Sequence, residues 1–166
     1  MYGLQAERRA SLILSSATKY WRPLFILAWI VWLFDFITKY WAENYLREPI
    51  RVIGELLKFQ LTTNTGAAFS LNISSAFLMA FAILTSFTIF YFAPKITSKS
   101  WAVALGLVLG GALGNLTDRI FRGEVVDWIS IKFWPTFNLA DSAVVAAAIF
   151  SIVLTARNIS PVSRSE

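Results

Sequence analysis

The sequence predicts an all-α membrane protein with four transmembrane helices and a small extracytoplasmic β-sheet. Of its 166 residues, 57% are hydrophobic and only 15% are charged, whereas about a quarter of the residues in a soluble domain are charged. The chain also contains four long apolar runs, each close to the roughly 20 residues that a helix needs to cross a bilayer. Together these observations place most of the chain in lipid.

The four helices are expected at residues 24–41, 73–93, 101–116 and 139–156. The first follows a basic N-terminal segment, as in a signal peptide, but it is too long, lacks a small-residue cleavage site and precedes three more spans. We therefore expect it to be retained. The third is the shortest, and its glycines would let neighbouring helices approach closely in lipid, which favours a central position. These glycines are Gly106, Gly110, Gly111 and Gly114.

The division of the chain into four spans determines which segments lie outside the membrane and on which side. An even number of spans places both termini on one side, together with the turn at 94–100. That side has eight Lys or Arg residues and the other has seven, so the positive-inside rule only weakly favours cytoplasmic termini. Residues 42–72 and 117–138 would then be extracytoplasmic, with short strands predicted at 57–61 and 124–129. Nothing marks a second domain, so 1–166 is expected to be one domain.

The chain contains no cysteine and no histidine. Disulfide bonds, thiol nucleophiles, Cys/His zinc sites and serine nucleophiles activated by histidine are therefore excluded. Hydrolysis would have to use Asp, Glu, Lys, Ser, Thr or Tyr. The net charge of +5 comes from basic residues scattered over termini and loops, so no nucleic acid is expected and anionic lipid headgroups are the expected partner.

Polar side chains near the ends of the apolar runs are candidate functional residues, because charge is costly in lipid. Asp35 and Lys39 lie four apart on one helix face and can pair, which favours structural support over catalysis. Asn64 precedes the second helix, where it could cap a turn or bind substrate, and taken alone it is interpreted as a helix cap. Asp118 and Arg119 are adjacent, so each needs its own partner, and Arg119 would be the counter-ion of a nearby carboxylate.

Two further acids have a chemical interpretation as a pair. Asp127 lies in an apolar strand-like stretch, where burial would raise the pKa of its carboxyl group. Asp141 lies in the first turn of the fourth helix, where a carboxylate can simply cap the helix. Two carboxyl groups at one membrane depth can instead share a proton, which provides an acid and a base without a metal or nucleotide.

Two alternatives to a carboxyl pair remain. A small cation or proton transporter could use Asp35, Asp118, Asp127 and Asp141. All four lie near one interface, however, and none lies in the middle of a span, where a transport site is expected. A carboxylate metal site needs no histidine, but the apolar surroundings of Asp127 favour proton chemistry over metal binding.

Five motifs, in register from residue 35 to residue 141, resemble the bacterial lipoprotein signal peptidase family, also called signal peptidase II. They are Asp35 with Thr38 and Lys39, NTGAAFS at 64–70, GGALGNLTDR at 110–119, GEVVDW at 123–128 and FNLAD at 137–141. At Trp128 the family more often has Phe, which keeps an aromatic residue at this position.

The resemblance implies an intramembrane aspartic endopeptidase of the bacterial inner membrane with cytoplasmic termini. Such an enzyme removes signal peptides from prolipoproteins by cleaving before the diacylglyceryl-modified cysteine at the outer face of the membrane. Asp127 and Asp141 match the catalytic pair, no cofactor is implied, and globomycin-type inhibitors would bind. The matching positions that line or support the site are Asn64, Asn115, Asp118, Arg119 and Asn138.

Overall fold

The structure is a computed structural model that describes residues 20–68, 71–72 and 74–162. Within these ranges, four helices are long and apolar enough to cross a membrane. They are α1 (Trp21–Tyr45), α2 (Ser75–Phe92), α3 (Lys99–Arg122) and α4 (Leu139–Ala156). The basic residues at 8, 9, 19 and 164 used in the orientation argument, and positions 69, 70 and 73 of the expected motif and helix, lie outside the described residues.

The α3 helix continues beyond the apolar run that was expected to end at about residue 116, and it reaches Arg122. The prediction followed apolarity, whereas the polar residues of the last two turns are satisfied within the protein. The hydroxyl of Thr117, for example, donates to the carbonyl oxygen of Leu113 over 2.7 Å. The helix ends at Gly123, whose φ of 81° is the left-handed conformation favoured in a helix C-terminal cap.

The α3 helix occupies the predicted central position, because it packs against α1, α2 and α4. Its glycines make this close packing possible. A Cβ atom on Gly110 would lie 2.6 Å from the carbonyl oxygen of Ala28 in α1, and one on Gly111 would lie 2.5 Å from that of Ala140 in α4. Any larger residue at these positions would push the helices apart.

An antiparallel sheet lies at the end of the bundle where α1 and α3 finish. Its strands are β1 (Ile50–Ile53), β2 (Leu57–Asn64) and β5 (Val125–Ile131), in the order β1-β2-β5. A separate two-stranded ribbon is formed by β3 (Ala67–Ala68) and β4 (Leu71–Asn72). The predicted strands at 57–61 and 124–129 are confirmed, whereas β1 and the ribbon were not predicted.

Aromatic side chains fix the sheet onto the end of α1. The ring centroid of Trp128 in β5 lies 5.1 Å from that of Phe59 in β2 and 5.8 Å from that of Trp41 in α1. Successive side chains of a strand point to opposite faces, so packing Trp128 on this face directs Asp127 to the other. The sheet register places Asp127 opposite Thr62.

Candidate active site

A fully buried lysine lies at the base of the site. Lys39 is 0% exposed, and its Nζ lies 2.7 Å from Oδ2 of Asp35, 2.8 Å from Oδ2 of Asp118 and 3.0 Å from Oδ1 of Asn115. The three protons of the ammonium group thus face three oxygen atoms, which compensates its burial. The predicted pairing of Asp35 with Lys39 is confirmed.

The two acids around Lys39 also bind the segments that carry the other site residues. Oδ1 of Asp35 accepts a hydrogen bond from the backbone N–H of Ala140 at the start of α4, over 2.8 Å. Oδ2 of Asp118 accepts one from the backbone N–H of Val126 in β5, over 3.2 Å. The buried charges therefore fix α4 and β5 relative to α1 and α3.

Glu43 and Arg122 extend this network and were not predicted. Arg122 binds the carboxylate of Glu43 through two contacts of 2.9 Å and 2.8 Å, and Oδ1 of Asp118 through a third of 2.7 Å. Because Asp35, Lys39 and Glu43 follow one another at intervals of four, they lie on one face of α1. That spacing was the available signal for Glu43. As expected, Asp118 has its own partners, which are Lys39 and Arg122.

Asn115 connects Lys39 to Asp141, one of the two acids of the predicted pair. Its Oδ1 accepts hydrogen bonds from Lys39 Nζ and, over 3.1 Å, from Asn138 Nδ2. With its oxygen held by two donors, its Nδ2 is directed to Oδ1 of Asp141, 2.7 Å away. The buried lysine therefore determines which way the amide of Asn115 points.

Asn138 connects the two carboxyl groups. Its Nδ2 donates to Oδ1 of Asp127 over 2.7 Å, and its Oδ1 accepts from the backbone N–H of Asp141 over 2.9 Å. The backbone N–H of Asn138 donates in turn to Oδ2 of Asp141 over 3.3 Å, which completes a capping box at the start of α4. One oxygen of Asp141, Oδ2, thus completes the cap of α4, and the other, Oδ1, accepts the hydrogen bond from Asn115.

Asn64 is not a helix cap, so that interpretation was wrong. It ends strand β2, and its Nδ2 lies 3.4 Å from Oδ2 of Asp127, a long hydrogen bond, while its Oδ1 accepts from the backbone N–H of Gly66. The ribbon separates it from α2, whose cap is Ser74, with Oγ accepting from the backbone N–H of Phe77. The structure therefore brings Asn64 to the carboxyl pair.

The carboxyl group of Asp127 has a pKa raised to about 7. Burial is the main cause, because only 3% of the residue is exposed, and the negative charge of Asp141 is the second. Hydrogen bonds from Asn64 and Asn138 act in the opposite direction by stabilising the carboxylate. The sequence-based prediction of a raised pKa is confirmed.

Arg119 supplies positive charge beside the pair. It interacts electrostatically with Asp141 and Asp127, and its Nη1 donates to the backbone oxygen of Asn115 over 3.3 Å. Within the described ranges it forms no ion pair within 4 Å of a carboxylate, and its buried Nε has no hydrogen-bond partner. A buried N–H donor without a partner is available to an oxygen atom of a ligand.

The four acids considered for a transporter or metal site do not act as one group. Asp35 and Asp118 face Lys39, whereas Asp127 and Asp141 face the asparagines. Among the described residues, no cluster of three or more acidic, histidine or cysteine side chains could hold a metal ion. The arrangement instead isolates one pair of carboxyl groups at the end of the membrane-crossing bundle.

The fold and the site together define a multi-pass membrane protein with two carboxyl groups bridged by one asparagine at the end of its helical bundle. The model of the family described as signal peptidase (SPase) II matches residues 27–157. The chain therefore belongs to the signal peptidase II family of aspartic peptidases.

Curated relatives agree with this assignment. The lipoprotein signal peptidase of Streptomyces coelicolor is 43% identical over 149 residues, covering 83% of this chain and 72% of that protein. Those of Rhodococcus jostii and Mycobacterium tuberculosis are 40% and 38% identical, covering 83% and 81% of this chain and 74% and 71% of their own lengths.

Solved structures show the same fold. A bacterial membrane enzyme determined by the in meso method at 2.3 Å superposes with a TM-score of 0.75 and 30% identity, covering 87% of this chain and 93% of its own. A second, at 1.9 Å, gives a TM-score of 0.73 at 30% identity, covering 80% and 92%. The predicted fold class, four membrane-spanning helices with a small sheet, is confirmed.

Proposed function

We propose that Asp127 and Asp141 are the catalytic pair with which this signal peptidase II removes signal peptides from prolipoproteins. The observation that carries the proposal is the single asparagine, Asn138, that hydrogen-bonds both residues, with a carboxyl pKa of about 7 at Asp127. A peptidase of this kind needs one protonated and one ionised carboxyl group at the same time.

The environments of the two groups support different roles. Asp141 accepts hydrogen bonds from Asn115 Nδ2 and the backbone N–H of Asn138, and these two donors orient its carboxyl oxygens at the start of α4, near Arg119. Asp127 is buried and carries the raised pKa. Asp141 is therefore the proposed general base and Asp127 the proposed general acid.

In the proposed reaction, Asp141 takes a proton from a water molecule whose oxygen attacks the carbonyl carbon of the scissile peptide. Asp127 donates a hydrogen bond to the carbonyl oxygen. Asp127 then donates its proton to the leaving amine as the carbon–nitrogen bond breaks, and transfer of the proton held by Asp141 to Asp127 restores the starting pair. The unpartnered Nε of Arg119 and the amide of Asn64 would hold peptide oxygens near the pair. Asn115, Asn138, Asp118, Asp35 and Lys39 support the pair through the contacts described above.

The position of the cleaved bond, the orientation in the membrane, the domain bounds and the other partners belong to the same proposal. The cleaved bond would precede the diacylglyceryl-modified cysteine, and the pair would face the outer leaflet of the bacterial inner membrane with both termini in the cytoplasm. Residues 1–166 would form one domain. Membrane lipids and globomycin-type peptide inhibitors would be its other partners. The location of the pair, with Asp127 in strand β5 and Asp141 in the first turn of α4, supports a site at one membrane surface.

The test is cleavage of a synthetic diacylglyceryl prolipopeptide by the purified protein. The wild type should cut before the modified cysteine, and Asp127→Asn and Asp141→Asn should each lose more than a thousandfold in kcat/KM while remaining folded in detergent. Glu55→Gln is the matched control, because Glu55 is an exposed acid that pairs with Arg51 and Lys58 on the sheet. Substantial activity in either asparagine variant would overturn the assignment of the pair.

A further inference from the structure

A largely apolar groove of about 670 Å³ begins at Asp141, one member of the carboxyl pair, and follows the outside of α4. Asp141 lies at its head, and Val145, Ala146 and Ile149 continue its wall along the helix. From Asp141 to Ile149 the helix rises about 12 Å, so the groove runs from the level of the site into the apolar span. We refer to it as the α4 groove.

The second wall of the α4 groove is the turn that follows β5. Phe133 in this turn is 93% exposed, and its φ of 68° is left-handed, a conformation that residues with a side chain rarely adopt. The backbone N–H groups of Lys132 and Trp134 donate to the carbonyl oxygens of Leu56 and Ile131, over 3.0 Å each. The turn thus presents an exposed aromatic ring, with Nζ of Lys132 5.0 Å from the ring centroid.

A prolipoprotein has two apolar parts, the helix of its signal peptide and the acyl chains of its diacylglyceryl group. The size of the α4 groove decides which of them it can hold. A helix with side chains is about 10 Å across and rises 5.4 Å per turn, so that one turn fills roughly 400 Å³. The groove holds fewer than two such turns, whereas a membrane-spanning signal peptide of about 20 residues has more than five. A flexible hydrocarbon chain has no such minimum width.

The position of the cleaved bond determines where the substrate's diacylglyceryl group lies relative to the carboxyl pair. The bond broken lies directly before the lipidated cysteine, so the glyceryl group is attached one residue from the reacting carbonyl. An acyl chain entering the membrane from that point needs an apolar path that begins beside the carboxyl pair, and the α4 groove begins at Asp141. We propose that the α4 groove binds an acyl chain of the substrate's diacylglyceryl group. This assignment rests on the proposed function.

A second apolar groove, of about 760 Å³, does not meet this requirement. It lies between α1, α2 and α3 and is lined by residues such as Trp29, Phe87 and Leu113. Leu113 is two residues from Asn115 in α3, on another face of the helix, and the groove includes neither acid of the pair. A lipid attached at the scissile bond therefore has its direct path along α4.

The test compares two substrates with the same peptide, one carrying two long acyl chains and the other carrying acetyl groups on the glyceryl unit. Ala146→Trp fills the α4 groove, and Ala148→Trp is the matched control, since Ala148 is also exposed on α4 but lies outside the groove. Ala146→Trp should lower kcat/KM for the long-chain substrate at least tenfold and for the acetyl substrate less than threefold. Ala148→Trp should change neither more than twofold.

A smaller substitution guards against misfolding of the tryptophan variant. Ile149→Ala should lower kcat/KM for the long-chain substrate about three- to tenfold, and the exposed Ile152, outside the groove, gives the control Ile152→Ala. An equal loss with both substrates, or no loss, would overturn the acyl assignment while leaving the peptidase assignment intact. A wild type that cleaves neither substrate would overturn the proposed function and this assignment with it.

Discussion

The side-chain amide of Asn138 donates to Oδ1 of Asp127 over 2.7 Å, while its oxygen accepts the backbone N–H of Asp141 over 2.9 Å. The first bond orients a carboxyl group of the site, and the second caps α4. Both functions rest on one residue that is 0% exposed. Because they use different atoms of the amide, substitutions can separate them.

Asn138→Ser should retain the cap and lose the site contact. Serine accepts a helix N-terminal hydrogen bond nearly as well as asparagine does, whereas alanine cannot, which costs about 1 kcal/mol. Neither replacement can donate to Asp127 from the position of Nδ2. We expect both variants to lose about a hundredfold in kcat, with Asn138→Ser the more stable of the two in thermal unfolding in detergent. Near wild-type kcat in Asn138→Ser would show that the amide donor is not needed.

Lys39→Met should destabilise the protein strongly. Methionine fills a similar volume but leaves Asp35 and Asp118 buried without their shared cation, and breaking a buried ion pair in this way costs about 3–5 kcal/mol. The free energy of unfolding in detergent measures the effect. Activity should fall as well, because Asn115 loses the donor that orients its amide toward Asp141.

The control for this lysine is Lys58→Met. Lys58 pairs with Glu55 on the surface of the sheet over 2.8 Å, with both side chains accessible to water, and exposed pairs contribute little to stability. Its loss should leave the thermal midpoint nearly unchanged. Equal destabilisation by the two substitutions would contradict the special role of the buried lysine.

The pH dependence of kcat/KM should report the carboxyl group of Asp127. A general acid acts only while protonated, so activity should fall as the pH rises through its pKa of about 7, approaching tenfold per pH unit. Asn64→Ala removes a hydrogen bond that lowers this pKa. The descending limb should therefore move to higher pH in the variant, measured in initial rates between pH 5.5 and 9. A shift to lower pH would contradict the assignment of Asp127 as the acid.

The sequence predicts a helix bound in this protein well only where the residues that determine it lie close together along the chain. The α4 helix was predicted with its observed bounds because an apolar run and its N-terminal acid lie within 18 residues of one another. The apolar run ends at about residue 116, whereas α3 continues to Arg122, because Asp118 and Arg122 find their partners in Lys39 and Glu43, about 80 residues earlier. No local pattern distinguishes such satisfied polar residues from a loop.

Prediction of the site residues from the sequence is limited in the same way, because their partners are distant along the chain. An asparagine has no sequence signal that names its partner, so Asn115 and Asn138 were identified only through resemblance to the family. Asn64 was misinterpreted because the sheet, rather than the following helix, determines its neighbour. The raised pKa of Asp127 was foreseeable, since an acid within an apolar strand is expected to be buried.

Gly114→Ala and Gly110→Ala should separate helix packing from site geometry. Both glycines lie at close helix contacts, and an added Cβ would lie 2.6 Å from Oδ2 of Asp35 at Gly114 and 2.6 Å from the carbonyl oxygen of Ala28 at Gly110. Overpacking of this kind costs about 1–3 kcal/mol, so both variants should unfold at lower temperature. Only Gly114→Ala displaces a carboxylate that binds Lys39 and the backbone of Ala140.

We therefore expect the folded Gly114→Ala enzyme to lose at least tenfold in kcat, because the start of α4 and the orientation of Asn115 both depend on that carboxylate. The folded Gly110→Ala enzyme should remain within threefold of the wild type. Initial rates are compared well below both unfolding midpoints and normalised to the folded fraction. A similar fall in kcat for both would mean that general helix separation, rather than the Asp35 contact, controls the catalytic pair.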